Sequence, residues 1–169
     1  MKVVLFGSSI ISKWSSFTLQ TDNEKIVNKG ISGLHTKELL SEKVIDILSM
    51  EKTPNYLIFY CGTNDIVSNV NSLEIIYNLQ KFLQKLTKTL HNTTIIVLSL
   101  LKSPKLVEFG KTNQIDFINS SLRNMCKQIE NMAFININLL LDDKCFLKDG
   151  LHLSRIGYKK INNKIIDLI

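Results

Sequence analysis

Five residues of this chain have the types and placement that acyl transfer requires: Ser9, Gly33, Asn64, Asp149 and His152. A serine hydroxyl attacks a carbonyl only once a base removes its proton. An imidazole titrates near neutral pH, so His152 is the candidate base. Asp149 stands three residues earlier. In a loop or a first helical turn, that spacing brings its carboxylate to Nδ1, where it fixes the tautomer and stabilises the imidazolium. The tetrahedral oxyanion needs donors already in place. The backbone N–H groups of Ser9 and Gly33, with the Asn64 side-chain amide, would supply three. Losing one such donor typically costs about 3 kcal/mol of transition-state stabilisation. Glycine at position 33 puts no side chain in the way of a close backbone approach.

The elements that must position these residues follow from periodicity. Residues 2–6, 56–61, 94–98 and 133–137 are short, apolar and rich in β-branched or aromatic side chains, as buried strands are. Residues 25–28 form a shorter strand. Between them, residues 36–50, 72–90, 113–131 and 155–168 carry apolar side chains at helical spacing. Continuous apolar strands alternating with amphipathic helices predict a parallel sheet covered on both faces, a three-layer α/β/α domain with right-handed crossovers. In such a sheet a ligand lies beyond the carboxyl ends of the strands. The segments there contain Gly7-Ser8-Ser9, Gly30-Ile31-Ser32-Gly33, Gly62-Thr63-Asn64-Asp65, Lys102-Ser103-Pro104 and Asp149-Gly150-Leu151-His152. Topology alone therefore gathers the five residues at one edge.

These blocks resemble, in order, those of the SGNH hydrolase superfamily, the GDSL esterase/lipase family. The likeness runs from Val3 to Tyr158. Gly7-Ser8-Ser9 stands where Gly-Asp-Ser is usual, and with Trp14 five residues on it is similar to a subgroup whose first block reads Gly-Ser-Ser. Residues 28–33 match the second block, Gly62-Thr63-Asn64-Asp65 the third, and Asp149-Gly150-Leu151-His152 the last, followed by Gly157-Tyr158. The resemblance implies Ser9 as nucleophile, Gly33 and Asn64 as oxyanion donors, and a flavodoxin-like five-stranded parallel sheet of order 2-1-3-4-5. It also implies an ester hydrolase without metal or organic cofactor, with substrates from acetylated sugars to lysophospholipids and thioesters. A chain with little room for a lid points to a small ester, such as an O-acetylated carbohydrate.

Other residues at that edge have plainer defaults. Ser8, His35 and Ser103 are candidates for substrate contact, although His35 reads first as a helix start. Asp65 is expected to bond local backbone N–H groups, Trp14 to pack, and Lys102 and Lys105 to be solvated while flanking the post-strand loop. His91, after a long helix, reads as a C-terminal cation.

Composition bounds the rest. The chain has 169 residues, 44% hydrophobic and 21% charged, which suits one domain spanning residues 1–169. Its net charge of +6 comes from dispersed lysines, with Arg123 and Arg155 the only arginines. Nucleic-acid readers favour arginine, so no nucleic-acid partner is expected. No apolar run approaches the roughly 20 residues of a membrane span. The apolar stretch at the N-terminus is too short for a signal peptide. Cys61, Cys126 and Cys145 lack metal-ligand spacing and read as reduced thiols, so a cytoplasmic location is expected. Composition leaves the oligomeric state open. Two alternatives remain: a lysophospholipase or thioesterase of the same fold, and a non-catalytic flavodoxin-like binding protein whose Ser-rich first loop holds the phosphate of FMN.

Overall fold

A computed structural model describes residues 1–15, 25–49 and 53–169, without the side chains of residues 45, 47 and 49. Five strands form one sheet: β1 (Lys2–Gly7), β2 (Lys25–Gly30), β3 (Tyr56–Tyr60), β4 (Thr94–Leu98) and β5 (Met132–Ile135). Their order is β2-β1-β3-β4-β5 and every pairing is parallel. The three central strands are almost wholly buried. β2, at one edge, is only partly covered, as its polar sequence requires.

Among the described residues seven α-helices connect or flank the strands: α1 (Ser9–Ser12), α2 (Glu42–Ser49), α3 (Thr63–Val67), α4 (Ser72–Thr89), α5 (Pro104–Glu108), α6 (Thr112–Lys127) and α7 (Arg155–Ile166). α4 buries Ile75, Leu79, Phe82, Leu83 and Leu86, a stripe of helical period facing the sheet. Phe82 meets Phe6 and Phe59, with ring centroids 5.8 and 5.1 Å away. The start of the chain is tied to its end. Trp14 Nε1 donates to Asn162 Oδ1 at 2.8 Å, and the Trp14 ring lies 5.5 Å from that of Tyr158.

Four elements depart from their periodicity. The second strand runs on to Gly30 because Gly7 of β1 still pairs with it there. The segment beginning at Thr36 is a 3₁₀ turn (Thr36–Leu40), broken at the extended Ser41 before α2 starts. The backbone N–H of Thr36 is bound by a distant carboxylate, which fixes that first turn independently of α2. Met50, the expected end of the helix, lies outside the described residues, as does the Ile47 side chain. The last strand is shifted to Met132–Ile135. Asn136 caps a 3₁₀ turn by accepting from Asn138 N–H, and Ile137 N–H turns to Ser99 Oγ. The preceding helix stops at Lys127 instead of 131, since the Asn131 carbonyl already accepts from Ile95 N–H of β4.

Candidate active site

The first strand must end abruptly for Ser9 to reach the surface, and Gly7 makes this possible. Its φ of +149° is one that L side chains rarely adopt, and a Cβ there would stand 1.8 Å from the Tyr60 carbonyl oxygen. Ser8 N–H donates to that same oxygen at 2.9 Å, the last bond to β3, and the Ser8 carbonyl receives the first N–H groups of α1. The chain turns from strand to helix within two residues. Asn28 of β2 braces the far end of α1, its amide donating to the Ile11 and Trp14 carbonyls at 2.8 and 3.1 Å. Tyr158 of α7 adds a hydroxyl donation to the Ile10 carbonyl at 2.7 Å.

Ser9 is the first residue of α1 and is half-buried. At that position its N–H has no intrahelical acceptor. His152 Nε2 lies 3.2 Å from Ser9 Oγ, and His152 Nδ1 lies 2.6 Å from Asp149 Oδ2. Asp149 Oδ1 accepts from the Leu151 and His152 backbone N–H groups, both at 2.9 Å. Desolvation works against the Asp149 charge. The hydrogen bonds from the His152 ring and from the two backbone groups outweigh it, so the carboxyl stays well below its ordinary range. The loop is held in shape by an antiparallel bridge between Phe146 and Leu153 and by Leu147 N–H donating to the His152 carbonyl at 2.8 Å. α5 buttresses it: Lys105 N–H donates to the Gly150 carbonyl at 3.0 Å.

On the other side of Ser9 stands the loop after β2. Gly33 has φ +81°, with nothing within 4 Å of where a Cβ would be, so it is the backbone conformation and not crowding that favours glycine here. Among the described residues its N–H has no acceptor. The next three residues are clamped from β3 and α3. The Leu34 carbonyl accepts from Asn64 Nδ2 at 2.9 Å and from the Cys61 thiol at 3.6 Å. Thr36 donates its N–H and its hydroxyl to Asp65, at 3.0 and 2.7 Å. Asn78 of α4 donates to the same hydroxyl at 3.2 Å. Asn64 thus spends one amide hydrogen on the loop and keeps the other free.

Ser9, Gly33, Asn64, Asp149 and His152 all lie at the carboxyl edge of the sheet, and a direct hydrogen-bonded row links Ser9, His152 and Asp149. Ser8 and Ser103 are different. Both are fully buried and their hydroxyls have no partner among the described residues, so neither is placed to meet a substrate. For Ser8 the cause is the turn itself, which aims successive side chains of the strand-to-helix junction in different directions. His35 begins the 3₁₀ turn, its N–H bonded to Glu38 Oε2 at 2.8 Å and its Nδ1 3.7 Å from Asp65 Oδ1. Lys102 stays in contact with solvent and is paired there with Asp116 at 2.6 Å. Asp65 departs from its expected role in its own turn. Its carboxylate, 1% exposed, bonds a residue 29 positions away and not its own turn.

An α/β sheet of this order, with a Ser–His–Asp row at its carboxyl edge, defines an SGNH-type hydrolase fold. Residues 6–160 match the GDSL-like lipase/acylhydrolase family, and the chain belongs to it. A Streptococcus pneumoniae protein provisionally described as a platelet activating factor superposes with a TM-score of 0.84 at 25% identity, covering 98% of this chain and 82% of that one. A lipolytic protein of the G-D-S-L family from Veillonella parvula gives 0.79 at 15% identity, over 99% and 97%. A variant of an acetyl-xylooligosaccharide esterase from Geobacillus gives 0.76 at 15% identity, over 98% and 92%. In sequence the chain is 26% identical to an N-acylneuraminate cytidylyltransferase of Escherichia coli, over 99% of this chain but only 40% of that protein. Among the described residues, no helix is long and apolar enough to cross a membrane.

Proposed function

We propose that residues 1–169 act as one serine ester hydrolase domain that removes a small acyl group, acetyl above all, from a carbohydrate alcohol. The observation that carries this reading is the row Ser9 Oγ–His152 Nε2, 3.2 Å, and His152 Nδ1–Asp149 Oδ2, 2.6 Å. Ser9 Oγ attacks the acyl carbon while His152 Nε2 takes its proton. The developing oxyanion meets the N–H groups of Ser9 and Gly33 and the free amide hydrogen of Asn64. The C–O bond to the alcohol then breaks, and His152 returns the proton to the leaving oxygen. Water, deprotonated by the same imidazole, cleaves the acyl-enzyme and restores Ser9. Asp149 stays ionised throughout and holds the ring.

The substrate class is narrowed by two likenesses. One structural neighbour is an acetyl-xylooligosaccharide esterase. The E. coli relative is named for N-acylneuraminate, a sugar acid, and this chain spans 40% of its length. Cytidylyl transfer needs a nucleotide phosphate site, and the groups gathered around Ser9 suit acyl chemistry instead. The reading is therefore an esterase acting on an O-acetylated sugar, with an acidic N-acylneuraminate as the leading case. Three free, buried cysteines favour a cytoplasmic setting. The test is a panel of acetylated sugars and nitrophenyl esters of increasing chain length, with Ser9→Ala as the blank. Acetate release above that blank, falling steeply with acyl length, is expected. A preference for long chains would favour a lysophospholipase or thioesterase instead.

A further inference from the structure

The alcohol half of the ester must lie within reach of His152 Nε2, which protonates it on departure. The sugar therefore occupies the His152 side of Ser9, and the wall there is the Asp149–His152 loop with the first turn of α5 against it. Lys105 stands at that junction. Its N–H bonds the Gly150 carbonyl at 3.0 Å, and a Cβ on Gly150 would lie 3.4 Å from the Cβ of Lys105. The ammonium lies 5.8 Å from the centroid of the Phe109 ring, which is 54% exposed. Two other lysines are ion-paired: Lys102 with Asp116 at 2.6 Å and Lys160 with Asp142 at 2.8 Å. Among the described residues no carboxylate pairs with Lys105.

We propose that Lys105 is a specificity-determining residue that receives the carboxylate of an acidic acetylated sugar, with Phe109 beneath the ammonium as its apolar support. This rests on the acetyl-ester reading of the Ser9 site. A lysine on a flexible stem, not ion-paired within the protein, meets an anionic leaving group without first breaking an internal salt bridge. The pairing is solvent-exposed, so it sets a preference and is weakened by salt.

The experiment compares an O-acetylated N-acylneuraminate with its own carboxyl methyl ester, the same alcohol without the charge. 4-Nitrophenyl acetate is run alongside as a neutral reference. The wild-type protein is expected to favour the free acid by about fivefold in kcat/KM, mostly through KM, with the preference shrinking as salt is added. Lys105→Gln should bring the ratio of acid to methyl ester close to one, and Lys105→Arg should restore most of it. Lys148→Gln and Arg155→Gln, the neighbouring cations in sequence, should leave the ratio in place. Turnover of 4-nitrophenyl acetate with no preference for the acid, or a ratio unmoved by Lys105→Gln, overturns the proposal alone. Failure to turn over any ester, 4-nitrophenyl acetate included, overturns the Ser9 reading and the proposal with it.

Discussion

Two adjacent serines, Ser8 and Ser9, have the same chemistry and opposite fates. Ser8 is fully buried, whereas Ser9 stands 3.2 Å from the imidazole. Ser9→Ala should reduce ester hydrolysis by about three orders of magnitude or more. Ser8→Ala should keep most of it, since its hydroxyl has no partner to lose. Steady-state rates on a nitrophenyl ester separate the two. Asp149 gives a pH prediction. Hydrogen bonds from His152 and Leu151 hold its pKa below the ordinary value, so the folded state binds its proton less readily than the unfolded chain. The stability it contributes is complete above the ordinary carboxylate range and is lost as pH falls through the lowered pKa. Acid unfolding followed by circular dichroism should accordingly be less steep at strongly acidic pH in Asp149→Asn. The same variant should lose about 10⁴-fold in kcat through misorientation of the imidazole.

At the scale of elements, the site is two loops held against one turn. The glycines in them predict contrasting outcomes. Gly7→Ala drives a Cβ to within 1.8 Å of a backbone oxygen and should cost several kcal/mol, read as a collapse in yield or a large fall in Tm. Gly33→Ala meets no atom, so only the left-handed backbone resists it, at about 1–2 kcal/mol. Its kcat should fall by tenfold or more as the N–H leaves its place. Thr36→Val removes the hydroxyl that Asp65 and Asn78 share. It should cost about 1–3 kcal/mol in denaturant midpoint and lower kcat more than it alters KM. The strands and the blocks that follow them were legible because apolar runs and short local spacings carry them. Asp149 and His152 are three residues apart, so their contact is nearly dictated by sequence. The Asp65–Thr36 clamp spans 29 residues and left no periodic signal. The helices beginning at Ser9, Thr63 and Pro104 are four or five residues long, too short for a 3.6-residue pattern to register. Whether a serine faces solvent or core depends on one backbone turn, and that is why Ser8 and Ser103 read as substrate contacts in the sequence yet lie buried.

For the whole molecule, the aromatic contact of Phe6, Phe59 and Phe82 joins two central strands to the longest helix. Phe82→Ala should therefore destabilise the entire domain by about 3–5 kcal/mol in a single transition. The far end of the chain reaches back through Tyr158 and Asn162 to the helix that begins with Ser9. Nucleophile, base and last helix consequently share one cooperative unit. The net charge of +6 is dispersed along the chain, and Lys105 beside the His152 loop is where it bears on substrate choice.

The central claim is a covalent acyl-enzyme on Ser9. Rapid quenching of the protein during turnover of 4-nitrophenyl acetate, followed by intact-mass and peptide mass analysis, tests it most directly. The account predicts an acetyl adduct on Ser9 that is absent from Ser9→Ala and that disappears by hydrolysis once the ester is exhausted. An adduct on Ser8, or steady turnover by Ser9→Ala at the wild-type rate, would contradict it.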